Sequence, residues 1–281
     1  MKVIRTTRGL IAWRRALSRE GVRVGMVPTM GALHDGHRAL IRTARLACDA
    51  LVVSVFVNSR QFGPTEDFAR YPRRLRADAS LCREEGADVV FAPSLTGMYP
   101  AGYQTTVSVR AVAKRWEGES RPQHFDGVAT VVTKLLNAAR PDIALFGQKD
   151  YQQAVLIRRL VEDLDLAVDV RLCPTVREPD GLALSSRNEY LTPAQRRAAP
   201  ILYKALQAGR AAIRQGERSG AAIRRRMRSV LASEPLARVE YLAVCDPQTL
   251  EPLARVTKRA VLLGAIRLGR VRLIDNVLVG R

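Results

Sequence analysis

The sequence predicts an α/β fold: a parallel sheet covered by helices over residues 1–176, then a smaller α+β domain over 177–281. Three observations carry this. Short runs rich in Val, Ile and Phe alternate with amphipathic stretches through the first part of the chain. After about Val176 arginine-rich helical sequence gives way to three closely spaced strand-like runs. The 281 residues, 47% hydrophobic, supply core material for two domains.

Strands are expected at Val22–Val27, Leu51–Val57, Ala87–Ala92, Ile143–Phe146 and Val168–Leu172, where β-branched and apolar residues cluster. Helices fall between them, at Arg38–Cys48, Arg73–Glu85, Val128–Ala139 and Tyr151–Leu164. Gly86 and the pair Pro141-Asp142 punctuate the rhythm. In the C-terminal part Thr192-Pro193 reads as an N-cap followed by proline in the first turn. Helical sequence then runs to about Leu231, broken near Gly216 and Gly220. The last strands are expected at Val239–Val244, Ala260–Ile266 and Val271–Ile274.

No run reaches the roughly 18 apolar residues of a membrane span, and Met1–Arg5 lacks the apolar core of a secretory signal. Cys48, Cys82, Cys173 and Cys245 are scattered without a C-x-x-C pair, which points to a reducing cytoplasm rather than a zinc or disulfide framework. The net charge of +19 raises the question of nucleic acid. Only six lysines contribute, the arginines are spread along the chain, and aromatics make up 5%. An arginine-biased surface that attracts anionic small molecules fits better than an RNA platform, so no nucleic-acid and no membrane partner is expected.

Four segments carry candidate chemistry. Pro28–His37 sits where a strand ends and a helix begins, a junction whose backbone N–H groups and helix dipole suit polyphosphate. His34 and His37, three residues apart, can each donate to a phosphate oxygen and each carry positive charge. Gly31 and Gly36 leave room for a nucleotide to approach, and no third ligand completes a metal site. Phe146–Gln153 follows the fourth strand. There Lys149 can hold a phosphate, Asp150 can accept from ribose hydroxyls, and Gln153 can grip a small polar substrate. Asp180–Asn188 offers two hydroxyls and a guanidinium as a clamp that can close as a loop. Asn58–Gly63 presents amides directly after the second strand. Each segment alone could be an ordinary polar turn. Together, three of them leave one edge of the sheet, and the Ser-Ser-Arg loop could cover it.

On these motifs, with Tyr71-Pro72-Arg73 and Arg121-Pro122-x-His124-Phe125, the chain resembles the pantoate–β-alanine ligases over nearly its whole length. The resemblance implies a Rossmann-like sheet of the nucleotidyltransferase superfamily, a homodimer and Mg2+ dependence. The implied reaction makes pantoyl adenylate from ATP and (R)-pantoate, then pantothenate and AMP when β-alanine attacks.

By motif position the resemblance assigns the ATP site to Met30, Gly31, Ala32, Leu33, His34, Asp35, Gly36, His37, Gly147, Gln148, Lys149, Asp150, Val176, Leu184, Ser185, Ser186 and Arg187. It assigns pantoate to Gln61 and Gln153, and β-alanine also to Gln61. His37, His34 and Lys149 are the catalytic candidates. The family role of proton donor falls on His37, but stabilisation of phosphate charge suits both histidines better, because adenylation by a carboxylate removes no proton.

The chain departs from the family pattern at three places. Ser59-Arg60 stands where the family has a proline after the asparagine, Gln148 stands for a glutamate, and an acidic pair is reduced to Ala77-Asp78. The last change puts magnesium contact through that pair in question, and the metal ligands stay unassigned. Two rivals are a nucleotidyltransferase with a phosphorylated acceptor, such as a phosphopantetheine or nicotinamide mononucleotide, and an RNA-binding protein.

Overall fold

The structure, a computed structural model, describes residues 1–18, 21–64 and 66–280. The chain divides into two compact units, residues 1–147 with 156–174, and 148–155 with 175–281.

The first unit is a six-stranded parallel sheet in the order β1-β4-β3-β2-β5-β6. Its elements in chain order are β1 (Lys2–Ile4), α1 (Thr7–Ser18), β2 (Val24–Thr29), α2 (Asp35–Arg45), β3 (Ala50–Val55), α3 (Leu75–Glu84), β4 (Val89–Phe91), the short α4 (Leu95–Met98) and α5 (Glu117–Ser120), α6 (His124–Ala139), β5 (Ile143–Gly147), α7 (Tyr151–Asp163) and β6 (Asp169–Cys173). Residues 151–155 of α7 group with the second unit. The central strands are buried, with Val27, Leu51, Val53, Val90, Ile143 and Leu145 packed against Ile41 and Ala44 of α2. That burial is why these strands read as continuous apolar runs.

Strand order reverses between β2 and β5, which makes their C-terminal ends the topological switch point where open α/β sheets bind ligands. The two strands pair only at Gly25–Ile143 and Met26–Ala144. Pro28 therefore lies where β2 has no β5 neighbour to receive a donor, so proline is tolerated in an inner strand.

The second unit holds α8 (Pro193–Ala198), α9 (Ile201–Arg214), α10 (Gly220–Leu231) and an antiparallel sheet of β7 (Ala237–Cys245), β8 (Ala260–Leu268) and β9 (Val271–Val279). Leu202, Leu206, Ile223 and Met227 pack on Leu262 and Ile266. Thr192 caps α8, with Gln195 closing a capping box.

Three features differ from expectation. The strand Lys2–Ile4 and the helix Thr7–Ser18 after it are an opening that the sequence pattern does not announce. Helix α2 starts at Asp35 because His34 is its N-cap, and α6 starts four residues before Val128. Strand β9 continues past Ile274 to Val279 although Asp275 and Asn276 interrupt its apolar pattern. Both side chains are buried and find polar partners, so the strand keeps its pairing with β8.

Candidate functional site

Beyond Thr29 the chain turns through two residues with positive φ, Gly31 (+85°) and Ala32 (+52°). For alanine this costs of order 1 kcal/mol or more. Asp78 of α3 holds the turn: its two oxygens accept the Ala32 N–H at 3.1 Å and the Leu33 N–H at 2.8 Å. A Cβ on Gly31 would lie 2.9 Å from Asp78 Oδ2, so glycine there serves both the φ and the close approach. Burial pushes the Asp78 carboxyl up, and the two N–H donors pull it back.

His34 and His37 then form a reciprocal cap on α2. The Gly36 N–H donates to His34 Nδ1 at 3.2 Å, and the His34 N–H donates to His37 Nδ1 at 3.3 Å. The ring centroids are 4.2 Å apart. A nitrogen that accepts a backbone N–H carries no proton, so both rings hold theirs on Nε2. A proton added at Nδ1 would displace a cap donor. The sequence allows each ring to carry positive charge; in the structure each cap engages the ring through Nδ1. On the other flank of α2, Arg38 and Arg42 grip Glu85 at 2.6 and 2.5 Å.

Gln61 lies on a single 3-10 turn, Ser59–Gln61, and is buried. Its neighbour Phe62 packs with Ala32, Tyr71 and Met30, which brings this loop to the histidine loop. The Gln61 carbonyl accepts from Arg121 at 3.1 Å and from His124 Nδ1–H at 2.9 Å. Arg121 in turn chelates Glu66 and donates to His124 Nε2 at 3.2 Å. Desolvation, aided by the Arg121 charge, pushes the His124 imidazole down to about 4, so it is neutral at pH 7. Gly127 lets α6 reach this turn, since a Cβ there would sit 2.3 Å from the Arg60 carbonyl oxygen.

The second unit gathers the remaining candidates. Lys149 Nζ lies 3.3 Å from Asp150 Oδ1 on the turn Gln148–Asp150, and Gln153 is partly buried on the first turn of α7. Asn276 Nδ2 donates to the carbonyls of Gln148 (2.8 Å) and Lys149 (2.9 Å), while Gln148 Nε2 donates back to Asn276 Oδ1 at 3.2 Å. A glutamate at 148 would lack that donor, so glutamine there matches Asn276. Next to Asn276, Asp275 pairs with Arg177 at 2.6 and 2.8 Å. Arg177 follows Val176, whose carbonyl accepts the Leu184 N–H at 3.0 Å. Ser185 caps the 3-10 turn Ser186–Tyr190 by accepting the Arg187 N–H. Val176 and Leu184–Arg187 thus share one local structure.

The sequence pattern gives no role to Arg121 or His124 and does not single out Tyr99 or Asn276. Only Arg121 and His124 carry a signal, their place in a recognised motif. Among the described residues no group of three or more His, Cys, Asp or Glu is placed to hold a metal ion.

A parallel sheet with a histidine-capped helix at its switch point defines a nucleotide-binding α/β enzyme. A family model described as pantoate-beta-alanine ligase matches residues 2–278. Pantothenate synthetases of Moorella thermoacetica and Roseiflexus castenholzii are 49% and 52% identical, each over 99% of both chains. A pantothenate synthetase structure from Thermus thermophilus is 48% identical, covers 100% of both chains and superposes with a TM-score of 0.95. The Francisella tularensis pantoate-beta-alanine ligase, complexed with beta-gamma ATP and beta-alanine, is 34% identical over 99% of this chain and 97% of its own, with a TM-score of 0.82. The chain belongs to the pantoate–β-alanine ligase family.

Proposed function

We propose that this ligase joins (R)-pantoate to β-alanine through pantoyl adenylate, and that the two capped histidines provide its phosphate contacts. A pantoate carboxylate oxygen attacks the α-phosphorus of ATP. The new P–O bond forms as the bond to the β-phosphate breaks, and pyrophosphate leaves. The β-alanine amine then attacks the acyl carbon, loses a proton, and expels AMP. A free carboxylate is a poor acyl donor; its mixed anhydride with AMP is a good one. The protein therefore needs positioning and charge stabilisation rather than a nucleophile of its own.

The observation that carries this reading is the reciprocal cap, which fixes the two imidazoles side by side at the positive end of α2. Met30 to His37 bind ATP in this reading, with Gly147 to Asp150, Val176 and Leu184 to Arg187. His34, His37 and Lys149 are catalytic, and Leu184 to Arg187 close over the triphosphate. Gln61 and Gln153 take pantoate, and Gln61 also meets β-alanine. The Asp78 oxygens hold the Ala32 and Leu33 N–H groups, and the magnesium ion in this reading is a companion of the triphosphate. The reading extends to a cytoplasmic homodimer.

The test supplies substrates in turn. ATP with pantoate should release enzyme-bound equivalents of pyrophosphate, and adding β-alanine should bring multiple turnovers with AMP and pantothenate. Absence of AMP with all three substrates present, while pantoate still binds, defeats the reading.

A further inference from the structure

We propose that Tyr99 is a positioning residue for substrate binding, acting through Asn58 to aim the side-chain amide of Gln61. The inference rests on the reading that Gln61 binds pantoate. Asn58 is buried and its amide is saturated: Oδ1 accepts from the Tyr99 hydroxyl at 2.8 Å and from the Arg60 N–H at 3.3 Å, while Nδ2 donates to the Gly127 carbonyl and to Gln61 Oε1, both at 3.0 Å. The Tyr99 bond is the shortest of the four.

Because Gln61 Oε1 is taken by a donor, the orientation of its amide is decided. Nε2 is left with two N–H groups, and the described residues provide no acceptor for them. Gln61 therefore presents donors, which suit a carboxylate or hydroxyl oxygen and not a cation.

Tyr99 is itself held. The Arg60 guanidinium lies 5.1 Å from its ring centroid and 4.8 Å from that of Tyr103; Lys134 Nζ lies 5.8 and 4.7 Å from the same two rings. The two cations flank a pair of rings that meet edge to face, with Tyr99 and Tyr103 centroids 5.1 Å apart. Burial raises the Tyr99 hydroxyl further above neutrality, so it stays protonated and remains a donor. Arg60, one of the departures from the family pattern, thus acts on the substrate loop from behind.

The experiment measures affinity for pantoate alone, by calorimetry, in wild type, Tyr99→Phe, Gln61→Ala and the double variant, with the KM for ATP as control. Tyr99→Phe should weaken pantoate about five- to tenfold, the scale of one misdirected hydrogen bond, and leave the KM for ATP within about twofold. In the Gln61→Ala background the same change should add less than about twofold, because Tyr99 acts through Gln61. Equal losses in both backgrounds, or no loss in the wild-type background, overturn the proposal while leaving Gln61 a pantoate ligand. If Gln61→Ala itself binds pantoate normally, the reading beneath the proposal fails, and the proposal with it. Should Tyr99→Phe not fold, Arg60→Met, which removes one cation from both rings, must show the same dependence on Gln61.

Discussion

At the scale of single residues, three histidines share one chain and follow opposite proton logic. His34 and His37 accept backbone N–H groups at Nδ1 and keep their protons on Nε2. His124 donates from Nδ1 to a carbonyl and accepts from an arginine at Nε2. The first pair caps a helix and the third braces a loop. His37→Ala is expected to cut pyrophosphate formation by about two to four orders of magnitude, since a preorganised donor to developing phosphate charge is lost. A folded variant with near-wild-type single-turnover rates contradicts that role. His124 makes a pH signature. Its folded value near 4 lies below the unfolded value near 6.5, so between them the unfolded chain takes up a proton that the folded chain refuses. Its contribution to stability is complete above about pH 6.5 and falls as pH drops towards 4, by roughly 2–3 kcal/mol. Denaturant unfolding of wild type and His124→Gln at pH 7.5 and 4.5 should show a smaller loss in the variant; equal losses would falsify the assignment. The histidine pair is visible in the sequence as H-x-x-H. Its tautomers are not, because they depend on which backbone N–H each ring meets.

At the scale of elements, α3 anchors the histidine segment at both ends. Asp78 holds the turn before α2, and Glu85, just past α3, receives Arg38 and Arg42 from the body of α2. The hydrogen bond from Arg42, opposed by desolvation and joined by that from Arg38, holds the Glu85 carboxyl below the usual carboxylate range. Asp78→Ala should leave two N–H groups unpaired and release a positive-φ alanine, with a cost of about 2–4 kcal/mol. The KM for ATP should rise with it, while pantoate affinity changes little; an unchanged melting temperature and KM would show that the turn holds itself. The inner strands β2, β3, β4 and β5 were legible because they are largely buried and their runs are mostly apolar. The full length of β9 was not. Asp275 and Asn276 look like a strand end until Arg177 and the carbonyls of Gln148 and Lys149, about a hundred residues away in sequence, supply their partners.

At the scale of the whole molecule, a net charge of +19 works against compactness through self-repulsion. Raising NaCl from about 0.01 to 0.5 M shortens the screening length from about 30 Å to a few ångström, so the melting temperature should climb by a few degrees. A falling melting temperature would mean that ion pairs such as Arg38–Glu85 and Arg177–Asp275 outweigh the repulsion. The alternation of strands and main helices from β2 onward, the motif loops at strand ends and the family itself followed from local pattern: apolar period, turn chemistry and fixed spacing are written in consecutive residues. The switch point between β2 and β5, the Arg121–His124 brace on Gln61 and the Tyr99–Asn58 contact were decided only by tertiary structure. Those depend on which polar group meets which across long stretches of chain, and a hydrogen bond's partner, unlike a residue's hydrophobicity, is not a property the residue carries alone.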